Sequence, residues 1–79
     1  MLMALKIRQA DPVDEAALRR LAALDSADTP HGEVLVAESN DEMVAALPVD
    51  GGHPVADPFR RTTEAIELLR LRARQLRHS

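Results

Sequence analysis

Hydrophobic and polar positions change their period several times along the chain, and each change predicts an element. Over residues 3–9, Leu5 and Ile7 alternate with Lys6 and Arg8. A period of two places alternate side chains on opposite faces, as in a half-buried strand. From Val13 the spacing lengthens: Val13, Ala17, Leu18, Leu21 and Leu24 fall on one face of a helix. Asp11 is placed to cap the free helix amides, and Pro12 suits the first helical position. Asp14 and Glu15 favour the positive end of the dipole. These signals predict a helix from Asp11 to about residue 25.

Ser26 to Gly32 contains Pro30 and Gly32 and reads as a loop. Glu33 to Glu38 is a predicted strand, Ser39 to Glu42 a polar turn, and Met43 to Leu47 the returning strand of a hairpin. Asp50-Gly51-Gly52 marks a second tight turn, since Asp and Gly tolerate positive φ. A short strand over His53 to Ala56 lies between Pro54 and Pro58, which suits a sheet edge. Thr62 or Thr63 then caps a helix running to about Arg77. Ala65, Ile66, Leu68, Leu69, Ala73 and Leu76 are its apolar positions, and Glu67, Arg70, Arg74 and Arg77 form the opposite stripe. Arg72 interrupts the apolar arc between Leu68 and Leu76, where it reaches water along its stem or pairs with an acid of a second subunit.

The predicted fold class is therefore α+β, an antiparallel four-stranded sheet with two helices in the order β-α-β-β-β-α. Short turns between neighbouring strands require antiparallel pairing. Each helix covers one face of the sheet, or both share one. With 79 residues this is a single domain. A chain of this size buries roughly 60% of its unfolded surface, so its core is marginal. Phe59 is the only aromatic residue, and that core is aliphatic.

Composition narrows the chemistry. There is no cysteine, hence no disulfide, thiolate metal site or cysteine nucleophile. A net charge of −3, with one aromatic residue, argues against nucleic-acid binding by phosphate contacts or base stacking. No apolar run approaches the ~20 residues of a membrane span, and Met1 to Leu5 is too short for a signal-peptide core. The expected location is cytoplasmic. Arginine carries almost all the basic charge, and with abundant alanine this suggests a GC-rich bacterial genome. Charge is segregated: residues 1–59 carry a net −7 and residues 60–79 a net +4. Such a basic helix lies on its own acidic body or faces a phosphate or acidic partner.

No metal site is expected of His31, His53 and His78, which are far apart and lack a ligand spacing such as H-x-x-x-H. Glu33, Glu38 and Glu42 are candidate general bases, or solvated residues flanking strands. Ser26 and Ser39 have no neighbouring His–Asp arrangement in sequence. Arg60, Arg61, Thr62 and Thr63 are the best site candidates. They form either a helix cap with solvated arginines or a site for an anion.

Ile7-Arg8-Gln9-Ala10-Asp11-Pro12-Val13-Asp14 resembles the opening of GNAT-family N-acetyltransferases, where a strand ending in Ile-Arg-x-Ala leads into a helix beginning with Asp. Leu35-Val36-Ala37-Glu38, a polar turn and Val44-Ala45-Ala46-Leu47 resemble that family's central hairpin, which often has glycine where Ala45 stands. The resemblance covers most of these residues and the first half of a complete family domain. It implies that Arg60-Arg61-Thr62-Thr63-Glu64-Ala65 corresponds to the loop that holds the pyrophosphate of acetyl-CoA. Arg60 and Ala65 match that loop; Thr63 stands where glycine is expected, and Glu64 adds negative charge. The family's usual tyrosine acid belongs to its second half, and this chain has no tyrosine.

The expectation is a non-catalytic GNAT-like half-domain, without a cofactor, that acts as a protein-interaction or self-associating module. The alternative is an acetyl-CoA-dependent N-acyltransferase whose site a second chain completes. The expected partner is a second copy in a symmetric homodimer, or another bacterial protein. Pro54 and Pro58 disfavour edge-to-edge pairing of the last strand. The interface is therefore expected on residues 62–77, at Leu68, Leu69, Leu71, Arg72 and Leu76.

Overall fold

The computed structural model describes residues 5–77, and the expectations for residues 3–4 and for His78 lie outside them. Strand β1 spans Leu5–Gln9, β2 Val34–Ser39, β3 Glu42–Pro48 and β4 Val55–Ala56. Helix α1 spans Glu15–Leu24 and helix α2 Thr63–Arg77. The four strands form one antiparallel sheet in the order β1-β2-β3-β4. This is the expected α+β fold, with the elements in the expected order.

The helices take opposite faces. Leu18, Leu21 and Ala22 of α1 pack on Val34, Val36, Ala46 and Val55. Ala65, Leu69 and Ala73 of α2 pack on Leu35, Ala37, Ala45 and Leu47, with Leu5 and Ile7 of β1 packed alongside. The central strands β2 and β3 are therefore covered on both sides and read as almost continuous apolar runs. Burying each leucine or valine contributes about 1.5–3 kcal/mol. Among the described residues no helix is long and apolar enough to cross a membrane.

Three local features depart from the sequence expectation. The segment Pro12–Asp14 is a turn of 3-10 helix that precedes α1. Its tighter winding breaks the 3.6-residue phase, so Val13, expected on the buried face, is 85% exposed. Ala17 is also exposed. The hairpin is tighter than four residues. Ser39 pairs with Glu42, and Asn40 and Asp41 alone make the turn, both with positive φ (53° and 67°). Such φ values fit a two-residue type I′ turn, whose twist matches that of the strands. Finally, the register shifts between Ala37 and Glu38, which face Ala45 and Met43. Val44 is the extra residue of a β-bulge. Val44 and Ala45 both reach the α2 core, while Met43 packs with the α1 core.

Helix α1 ends in a Schellman arrangement. Ala27 N–H donates to Ala22 O (2.9 Å) and Ser26 N–H to Ala23 O (3.2 Å), with Ser26 at φ 52°. Between β3 and β4, Gly51 takes φ 103°, a conformation a side chain would strain.

Candidate functional site

The residues nominated from sequence converge where α2 begins. Asp57 shapes the approach: its carboxylate accepts the Phe59 N–H (2.8 Å), and its carbonyl accepts the Arg60 N–H (3.3 Å). The turn lifts Phe59 away from the body, leaving it 81% exposed. Thr62 O accepts the Ile66 N–H (2.8 Å) as the first turn closes. Arg60, Arg61, Thr62 and Thr63 line an open cleft of about 1020 Å³. Its apolar floor includes Leu5, Val44 and Ala65, and Ser39 and Asn40 border it from the hairpin.

The free amides and dipole of α2 give this end positive potential. Arg60 spends part of its charge on Glu42, at 3.4 Å. Glu64 in the first turn offsets more of it. Thr63 carries a side chain at the position where the resemblance calls for glycine. The structure thus brings the four nominated residues together at a real concavity, with much of its positive charge compensated.

The three glutamates considered as general bases are each engaged. Glu33 accepts from Gln9 Nε2 (3.0 Å), Glu42 from Arg60, and Glu38 from Arg8. Glu38 belongs to a cluster that sequence reasoning missed. Arg8 grips the Asp14 carboxylate with two bonds, Nη1 to Oδ2 (2.8 Å) and Nη2 to Oδ1 (2.9 Å). It also reaches Glu38 through Nε (3.2 Å) and Nη2 (3.3 Å). The Arg8 guanidinium and the Asp11 N–H (2.7 Å) hold the Asp14 carboxyl down to about 2, from an ordinary 3.8. Asp11 and Asp14 form a capping box, in which the Asp14 carboxylate reaches back to the Asp11 N–H. In the motif Ile7-Arg8-Gln9-Ala10-Asp11, the arginine thus ties β1 to β2 and to the start of α1. Only the six-residue spacing of Arg8 and Asp14 across a strand-to-helix turn hints at this in sequence.

Of the other candidates, His31 and His53 are exposed, Ser26 is the helix-terminating residue, and Ser39 is buried beside the hairpin turn. No group of three His, Cys, Asp or Glu side chains that could hold a metal occurs among the described residues. On α2, Leu69 is 0% exposed and belongs to the chain's own core, so it is not available at an interface. Leu68 and Leu71 are 38% and 44% exposed; Arg72 and Leu76 are also exposed.

The β4 edge carries a further feature. The Asp57 N–H donates to Val44 O (3.0 Å), so Asp57 points its amide into the sheet. By alternation, residues 54, 56 and 58 direct theirs outward. Pro54 and Pro58 have none, and the Ala56 N–H donates to Asp25 Oδ2 (3.1 Å) at the end of α1. This edge offers no free main-chain donor from Pro54 to Pro58. Comparison with protein-family models, curated proteins and solved structures gives no match for this chain.

Proposed function

We propose that this chain is a non-catalytic module of GNAT-like fold that acts through protein contacts, and that it self-associates as a symmetric homodimer. The observation that carries this reading is the closed β4 edge. In the family that the sequence resembles, the sheet continues beyond the fourth strand, and acetyl-CoA lies at that opening. A second chain completing the cleft would bring its strand beside residues 53–56. There it would meet Pro54 and an amide already bonded to Asp25, with Pro58 just beyond. The engagement of Glu33, Glu38 and Glu42 supports the same reading. Self-association is supported by the small aliphatic core, which is marginal for a chain of this size.

Two measurements test this reading. Sedimentation equilibrium up to high micromolar concentration is expected to give a dimeric mass; a strictly monomeric mass overturns self-association. Calorimetric titration with acetyl-CoA is expected to show weak or no binding. Micromolar affinity lost on Arg60→Ala would favour the acyltransferase reading instead.

A further inference from the structure

The sheet has a second edge, and its chemistry is the reverse of the first. The Ala10 N–H donates to Val34 O (2.8 Å), directly after the five-residue ladder of β1 on β2. In an antiparallel pair, inward and outward main-chain groups alternate. Arg8 and Lys6 therefore share the inward phase of Ala10, and Leu5, Ile7 and Gln9 turn their N–H and C=O groups outward. Among the described residues no strand borders β1 on that side and these three amides have no partner. Only the Gln9 carbonyl is used, accepting from Arg8 Nη1 (3.1 Å), and a carbonyl has a second lone pair.

We propose that this edge is the dimer contact: β1 pairs antiparallel with β1 of a second copy, about a two-fold axis at Ile7, to make one eight-stranded sheet. The proposal rests on the self-association reading above and names its surface. Residues 5, 7 and 9 are symmetric about 7. Every outward donor then meets an outward acceptor, giving about six main-chain hydrogen bonds.

The side chains fit the same register. On the α2 face, half-buried Ile7 meets its own copy across the axis, and half-buried Leu5 meets Gln9 of the second copy. On the α1 face Lys6 stands opposite Arg8 of the second copy, and Asp14 and Glu38, both bound to Arg8, bring the charge of that face to a net zero. A self-complementary strand selects a second copy over an unrelated one. Helix α2 fits less well: Leu69 is internal, and exposed Leu68 and Leu71 stand among Glu64, Glu67, Arg72 and Gln75.

The test is sedimentation equilibrium on the full chain. Gln9→Pro removes one outward amide and leaves the inward ladder intact; Leu68→Glu with Leu71→Glu marks the helix. The expected result is a dimer weakened about tenfold or more by Gln9→Pro and unchanged by the helix variant. A dimer lost in the helix variant and kept in Gln9→Pro overturns the edge assignment and leaves self-association standing. A monomeric wild type overturns both.

Amide exchange on the wild type supplies a measurement independent of whether Gln9→Pro folds. The amides of Leu5, Ile7 and Gln9 are expected to gain protection as concentration rises through the dimer range. Rapid exchange of all three in a protein shown to be dimeric also overturns the edge assignment.

Discussion

Strands β1 and β4 each border a single neighbour, yet they meet solvent differently. Along β4 the outward donors are missing at Pro54 and Pro58 and satisfied at Ala56 by Asp25. Along β1 those of Leu5, Ile7 and Gln9 have no partner among the described residues. An exposed row of main-chain donors and acceptors is a template for another strand. The chain spends three positions on blocking one row and leaves the other accessible. On β1 the effort goes into rigidity: Arg8 clamps the strand to Asp14 and Glu38 from the α1 face. A strand held straight by its own side chains meets a partner at lower entropic cost than a mobile one.

The largest expected effect comes from breaking the clamp. Arg8→Ala takes from the carboxylates of Asp14 and Glu38 the guanidinium that binds both, in surroundings where their side chains are only 11% and 21% exposed. The expected loss is about 2–3 kcal/mol, because the site is only partly buried. Urea denaturation measures it. A change below 0.5 kcal/mol, at about the level of an exposed pair, would mean that the clamp does not stiffen β1.

Acid sharpens the same contrast. The Asp14 carboxyl titrates near 2 in the folded chain and near its ordinary 3.8 when unfolded. A folded value that is lowered adds stability above the unfolded value. The contribution of about 2 kcal/mol is thus complete above pH 4 and disappears as pH falls from 4 towards 2. Asp14→Asn is expected to flatten that part of the stability–pH curve. An unchanged curve would assign the acid sensitivity to other groups.

Opening the closed edge is a smaller perturbation. Asp25→Ala frees the Ala56 N–H, and the loss of this single exposed hydrogen bond is expected to destabilise the chain by about 1 kcal/mol. Faster exchange of the Ala56 amide in the variant checks it; unchanged exchange would remove Asp25 as the guard. The smallest effect is a gain. Ser26 sits at φ 52° at the residue that ends α1, and Ser26→Gly is expected to add about 0.5–1 kcal/mol by relieving that strain. Thermal unfolding reads it as a higher midpoint.

How much of this was legible in the sequence differs between the two edges. The order β-α-β-β-β-α follows from periods of two and 3.6, which local side-chain spacing reports directly. Pro54 and Pro58 announced an edge because proline lacks a donor. The third guard did not: Asp25 and Ala56 are 31 residues apart and meet only once α1 has packed on the sheet. The clamp was hidden for a similar reason. Arg8, Asp14 and Glu38 read separately as a strand polar position, a first-turn acid and a solvated flank. The helix expected from Asp11 begins at Glu15, and Val13 turns outward, because the composition of Pro12–Asp14 suits a 3-10 turn and an α-turn alike. At the candidate cleft, Arg60 to Thr63 were legible as a helix start. The charge compensation by Glu42 was not, since that residue comes from the hairpin.

The bulge in β3 bears on how this chain tolerates changes in length. Side chains alternate along a strand, so an added residue ordinarily inverts everything beyond it. Here Val44 and Ala45 share the α2 face, which leaves Met43 with α1 and Glu42 opposite Ser39. A chain lacking Val44 would run in regular register with Glu42, Met43 and Ala45 on their present faces. Val44 is therefore an insertion whose frameshift the sheet has already corrected. Because Val44 also lines the cleft, its deletion is a one-residue change expected to enlarge that cavity while the remaining β3 residues keep their faces.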